Sequence, residues 1–340
     1  MTNGQRHVFR LALGTTIAMT LATTLGWTLA FIAPVFTAQK LAAPAGRPRL
    51  RKIARDTLTL LAASITGLLI SVACGGYPVL CICVIGIAMA VVFYLNTGGL
   101  DPFAGVIWLI GIVAVPLLGL QSSSLAVLLG VGLTVSGAIA FIVVWLVHLL
   151  IPDRSFMEPP TAAAPITLTS RERLDIVAQR LVMVMPLVCF VFTLGLASWL
   201  LMLIIAIILA EQTDAATGFG AGKMLLLANI GGGIVASVMY YGLVAVPTLA
   251  FLLATTTLVC LSFGKQIFSG SATAPLWATA LATVLVLIGS GTMPVGDGSD
   301  VKFTVRILQM AAGTGYVVAA LIVFNLYRER YSLKLDTRAL

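Results

Sequence analysis

The sequence predicts an all-α, polytopic membrane protein with about 12 transmembrane helices, set out as two parallel six-helix repeats. Three observations carry that expectation. The 340-residue chain is 60% hydrophobic and only 9% charged, with a mean hydropathy of +1.09, so it lacks the polar surface needed to cover a soluble globule. Apolar runs of roughly the 17 to 25 residues that cross a bilayer recur from end to end. Lys and Arg fall between alternate runs, as expected of loops that resist translocation.

The first span is expected from about Val8 to Gly26 and the second from about Thr28 to Ala43, with Trp27 between them and Pro34 as a possible kink. The basic start before the first run resembles a signal peptide, but further spans follow at once, so it reads as a retained helix. Lys40 to Asp56 then packs Lys40, Arg47, Arg49, Arg51, Lys52 and Arg55 into one stretch, which anchors the topology and is also a candidate site for anionic lipid or an anionic ligand. Leu58 to Cys74 and Pro78 to Asn96 follow, parted by Gly75-Gly76, then Phe103 to Gln121 and Leu125 to Leu150, joined by three serines.

Residues 1–152 thus form the first six-helix repeat, and 153–180 a cytoplasmic linker rich in Pro that closes on SRERLDIVAQR, a short amphipathic helix. The second repeat, 181–340, gives Leu181 to Ala197, Trp199 to Ala210, Lys223 to Tyr241, Leu243 to Phe263, Pro275 to Thr292 and Val305 to Tyr327, with a short cytoplasmic tail. The 199–210 segment is too short to span alone, so it either extends through Glu211 or is re-entrant. Counted from a cytoplasmic N-terminus, all of the 20 basic residues except Lys302 and Arg306 lie inside, a bias that supports an even number of spans, without fixing it at twelve, and both termini in the cytoplasm.

The halves align. Arg10 to Trp27 matches Arg180 to Trp199, ITGLLIS (Ile65 to Ser71) matches GGGIVAS (Gly231 to Ser237) with Gly67 on Gly233, Trp108 falls near Trp277, and Gly130-Val131-Gly132 matches Gly313-Thr314-Gly315. Small residues at these places let helices approach closely. Both units start inside, so an axis along the membrane normal should relate them, an arrangement that puts a substrate path between repeats. This pattern of Arg and Trp in the first hairpin, a basic loop, a Gly-rich third span and GxG in the sixth resembles the fusaric acid resistance-like family, which includes the aromatic acid exporters. The resemblance implies efflux of small aromatic or other organic anions across the bacterial inner membrane, alongside a periplasmic adaptor of the membrane fusion type. No sizeable cytoplasmic domain lies between the halves, unlike the larger exporters. Assembly as a homo-oligomer is expected.

Ionisable groups near lipid cost on the order of 3 kcal/mol each at a helix centre, so each one is a functional candidate. Arg306 opens the twelfth span on the outer side and could bind a departing carboxylate, or snorkel and pair with Asp297 or Asp300; Gln309 lies one turn below it. Lys40 could draw anions to a cytoplasmic entrance, or snorkel at the boundary. Glu211 and Asp214 close the eighth segment, where a carboxylate could carry a proton. Asp101 could cap the fifth span, and His148 could titrate at the inner end of the sixth. Asn229 precedes Gly231, Gly232 and Gly233, where local unwinding would expose a polar site, against tight packing as the rival reading. Tyr240, Tyr241, Trp27, Trp199 and Tyr327 suit aromatic belts.

Function classes narrow accordingly. Basic residues clustered at span ends are explained by topology, so the net charge of +8 does not signal nucleic acid. Cys74, Cys81, Cys83, Cys189 and Cys260 lie in or at the edge of apolar runs and are expected to be buried free thiols acting as small hydrophobes, and two histidines cannot supply a metal centre. No phosphate-binding GxxxxGK[ST] stretch occurs, and no cofactor is expected. The leading expectation is a proton-driven secondary exporter of organic acids, in contact with membrane lipids and not an enzyme. An anion channel of similar architecture, or less readily a membrane-embedded enzyme, is the alternative.

Overall fold

The computed structural model describes residues 3–27, 30–43, 48–74, 77–99, 101–152, 169–196, 199–212 and 218–291, and 12 positions between 305 and 323. Among these residues there are eleven continuous helices and no strand. They are α1 (Asn3–Leu25), α2 (Ile32–Ala42), α3 (Leu50–Cys74), α4 (Pro78–Thr97), α5 (Pro102–Gly119), α6 (Ser123–Leu150), α7 (Ser170–Thr193), α8 (Leu200–Gln212), α9 (Gly218–Ala245), α10 (Leu249–Ile267) and α11 (Ala274–Gly291). Helical residues recur between 305 and 323. Seven of the helices are long and apolar enough to cross a membrane, and the protein is an all-α, polytopic membrane protein.

Local chemistry sets the boundaries. Pro102 starts α5, where its missing N–H costs nothing, and Asp101 caps that helix by accepting from the Phe103 N–H at 3.1 Å. Ser122 and Thr248 cap α6 and α10 in the same way. Thr169 and Glu172 form a reciprocal capping box, and from there helix runs unbroken to Thr193, so the expected amphipathic helix of the linker is the first part of α7. Pro34 lies in the first turn of α2, where proline is tolerated and need not kink the helix. The expected break near residue 242 is displaced: α9 continues to Ala245, and Pro247 with the Thr248 cap supplies the stop. Cys83, expected among buried thiols, is exposed on α4.

Among the described residues four glycines have positive φ, and they fall at matching places. Gly26 (58°) follows α1 and Gly195 (62°) follows α7, while Gly99 (100°) follows α4 and Gly270 (73°) follows α10. The packing recurs in the same register. α3 crosses α5 and α9 crosses α11; α1 lies on α10 and α7 on α4; α2 meets α11 and α8 meets α5. Small residues make these crossings. Gly67 meets the Gly111 backbone, and Gly111 meets Ala63, so a methyl group on either would overlap the partner helix. On the other side Gly232 meets the Ala280 carbonyl and Thr283. Gly231 and Gly233 face open space, so the close approach in α9 is at Gly232 and not at Gly233. The helix runs through all three glycines without unwinding, because its own carbonyls stay in the ladder and Ser237 adds a bond to the Gly233 carbonyl at 2.9 Å.

Candidate functional site

α2 and α8 are the short helices of the bundle, 11 and 13 residues long. At about 1.5 Å per residue neither helix alone reaches across a hydrocarbon core of about 30 Å, so a crossing at either place needs the residues that flank it. Each follows a left-handed glycine and a tryptophan, and each is enclosed by longer helices: residues 32–38 of α2 are buried throughout, as are Met202, Leu203, Ala206, Ile207 and Ala210 of α8. Each also ends in an ionisable residue, Lys40 on α2 and Glu211 on α8. Short segments at corresponding places in two halves are where transporters of repeated architecture form their binding sites.

The Lys40 ammonium is enclosed and paired. Its Nζ lies 3.3 Å from Asp56 Oδ2, and the two side chains are only 18% and 13% exposed. The ammonium sits 3.8 Å above the Phe103 ring and 5.6 Å from that of Phe141, so the ring faces take over part of the solvation that water would give. Phe36 joins the group edge-on to Phe103 at 5.3 Å, and Phe103 meets Phe141 at 5.9 Å. Asp101, while capping α5, is close enough to act on Lys40 electrostatically. The second Asp56 oxygen is 3.9 Å from Arg55, which is exposed. The result is an ammonium among aromatic rings, held by a carboxylate that has a second cation in reach.

Glu211 occupies the end of α8 where the helix dipole is negative, an unfavourable place for a carboxylate. Arg180 of α7 offsets this twice, with one guanidinium nitrogen 3.2 Å from Glu211 Oε2 and another donating to the Glu211 carbonyl at 3.2 Å. Asn96 of α4 donates from Nδ2 to Glu211 Oε1 at 2.7 Å. The Phe93 ring lies 5.9 Å from the guanidinium. Gly105 of α5 makes room for Asn96, since a side chain there would overlap the carboxamide. The first two turns of α5 therefore join the two centres, Phe103 beneath Lys40 and Gly105 against Asn96.

The remaining candidates divide. Asp101 takes the capping role foreseen for it. His148 is buried in the last turn of α6, with Nδ1 2.8 Å from the Val144 carbonyl. Near it, Arg10, only 1% exposed, donates from Nε to the Ile151 carbonyl at 2.8 Å, and Arg6 donates to the Pro152 carbonyl at 2.5 Å, so two arginines satisfy the α6 C-terminus. Asn229 accepts from the Thr283 hydroxyl at 2.6 Å where α9 crosses α11, a buried clamp between those two helices. Gln309 is buried in the helical stretch between 305 and 323. Arg306 and Asp214 lie outside the described residues, as do Asp297 and Asp300. Sequence reasoning passed over Asp56, Asn96, Phe103 and the role of Arg180. Asp56 carried a signal, as the acid that closes the basic stretch, and so did Arg180, as the repeat partner of Arg10. Among the described residues no group of three His, Cys, Asp or Glu stands together as a metal site would require.

Residues 7–147 match the model of a family described as a protein of unknown function, DUF2955. That match covers most of α1, all of α2 to α5 and nearly all of α6. No curated protein and no solved structure matches the chain.

Proposed function

We propose that the protein is a proton-coupled exporter of small aromatic or other organic anions in the bacterial inner membrane. In this reading it has twelve spans in two parallel repeats, with both termini cytoplasmic, and is related to the fusaric acid resistance-like exporters. The observation that carries the reading is the pair of short buried helices at corresponding positions, one ending in an enclosed cation and the other in an enclosed carboxylate. The recurrence of left-handed glycines and of helix pairings at the same register supports the repeat.

Lys40 is the group that takes the anion. An arriving carboxylate replaces Asp56 on the ammonium, Asp56 turns to Arg55, and Phe103 with Phe141 offers ring faces to the apolar body of the substrate. Glu211 is the group that takes the proton, next to Arg180, which keeps it in place. An anion moving out and a proton moving in are both favoured by an interior-negative membrane, each charge by about 2.3 kcal/mol per 100 mV. A periplasmic adaptor and a homo-oligomeric state belong to the same proposal.

Benzoate efflux from proteoliposomes tests it. An acid exterior should accelerate efflux from vesicles containing the full chain. Glu211→Gln should remove that acceleration while leaving exchange between inside and outside benzoate, and Lys40→Ala should weaken benzoate binding by about tenfold or more, the size of one lost charge-assisted contact. Flux that ignores the pH gradient and carries benzoate current through open pores would make the protein an anion channel instead.

A further inference from the structure

The Asn96 carboxamide is only half engaged. Its Nδ2 donates to Glu211, while the enclosed Oδ1 has no hydrogen-bond partner. An enclosed carbonyl oxygen without a donor is costly, typically by about 1 to 3 kcal/mol, so its persistence at a charged centre calls for a reason. The carboxylate beside it suggests one. An ionised carboxyl group only accepts hydrogen bonds, but on taking a proton one of its oxygens becomes a donor. A carboxamide has one donor edge and one acceptor edge, exchanged by a half-turn about its last side-chain bond, and the two edges are nearly equal in size.

We propose that Asn96 is a positioning residue that serves Glu211 in both protonation states, giving its amide N–H to the carboxylate and its carbonyl oxygen to the carboxylic acid. Glu211 can then take and release a proton without losing its place against α4. The inference rests on the reading of Glu211 as the proton carrier. Gly105 on α5 sets the fit, because it brings a helix backbone flat against the amide where any side chain would displace it. Among the described residues the charged group that faces Glu211 from the helices packed around it is Arg180 on α7; α4 contributes Asn96 and the Phe93 ring, and α5 contributes Gly105. Arg173, also on α7, lies by Gly98, while Lys40, Asp56 and Asp101 belong to the other centre. Asp214 lies outside the described residues.

Infrared difference spectra between acid and neutral pH, taken on the full-length protein with isotope-labelled asparagine, read both groups without a transport assay. The expected result is a carboxylic acid signal that grows on acidification and is lost in Glu211→Gln. It should be accompanied by an asparagine amide signal with the same midpoint that is lost in both Glu211→Gln and Asn96→Leu. Gly105→Ala, which pushes the amide aside, should abolish the amide signal too and serves if Asn96→Leu does not fold. An amide signal that stays constant while Glu211 titrates would mean a fixed clamp and overturn the inference, as would a Glu211 that never titrates while the protein stays folded. If the two signals move together but benzoate efflux ignores the pH gradient, the exporter reading fails and the Asn96 inference stands.

Discussion

Arg180→Ala is expected to destabilise the folded protein by about 3 kcal/mol or more, because it leaves the Glu211 carboxylate enclosed at the negative end of α8 with no cation beside it. The side chains are 11% and 5% exposed, so water cannot take over the role of the guanidinium. Adding Glu211→Gln to the same chain removes the stranded charge and should recover most of the loss. Arg180→Lys should recover little, since one ammonium cannot reach both the carboxylate and the Glu211 carbonyl in the way the planar fork does. Thermal unfolding of the three variants in detergent decides this. A single variant that melts like the parent would show that the pair contributes nothing, and a double variant no better than a destabilised single would show that the loss does not come from a stranded Glu211 charge.

The glycine crossings supply the second large effect. Gly111→Ala would put a methyl group 2.7 Å from the Ala63 carbonyl oxygen, and Gly232→Ala would put one 2.6 Å from the Ala280 carbonyl oxygen. Backbone atoms cannot turn aside as a flexible side chain can, so the helices must part, at about 1 to 3 kcal/mol for overpacking. Gly231→Ala and Gly233→Ala meet nothing within 4 Å and should be neutral or up to about 1 kcal/mol stabilising, as expected for Gly→Ala within a helix. The ratio of folded to aggregated protein after purification separates the two groups. Equal behaviour of Gly232 and its two neighbours would contradict the packing described for α9 and α11.

Much of the fold was legible in the sequence where short-range chemistry decides it. The Asp101-Pro102 start, the triple-serine turn and the Gly26 and Gly195 stops are local signals, and they mark helix ends close to where the sequence put them. Hydropathy could not show that α2 begins only at Ile32. Apolar residues continue upstream, but Ala30 and Phe31 form a turn, with the Ala30 N–H bonded to the Trp27 carbonyl and the Ala33 N–H to that of Ala30. Nor could it place the break between α9 and α10, expected at Gly242, because the apolar run continues to Ala245 and only Pro247 interrupts it. The charged centres were half legible. Lys40 and Glu211 stood out as ionisable residues in an apolar chain, but their partners come from other helices, Asp56 16 positions from Lys40, Arg180 31 and Asn96 115 from Glu211. Such pairings follow from how the helices pack, which no local pattern encodes.

The doubled bundle itself is tested most directly by placing its repeat-equivalent corners relative to the membrane. Leu25 and Leu194 are exposed residues next to the left-handed glycines that end α1 and α7, and Ser271 is exposed in the turn after α10. Single cysteines at these places, in a chain freed of its five native ones, can be reacted with a membrane-impermeant maleimide in intact cells. Leu25→Cys and Leu194→Cys should both be labelled from outside, and Ser271→Cys only after the cells are opened. Labelling of Leu25→Cys and Leu194→Cys from opposite sides would make the halves antiparallel and contradict the parallel repeat on which the account of Lys40 and Glu211 rests.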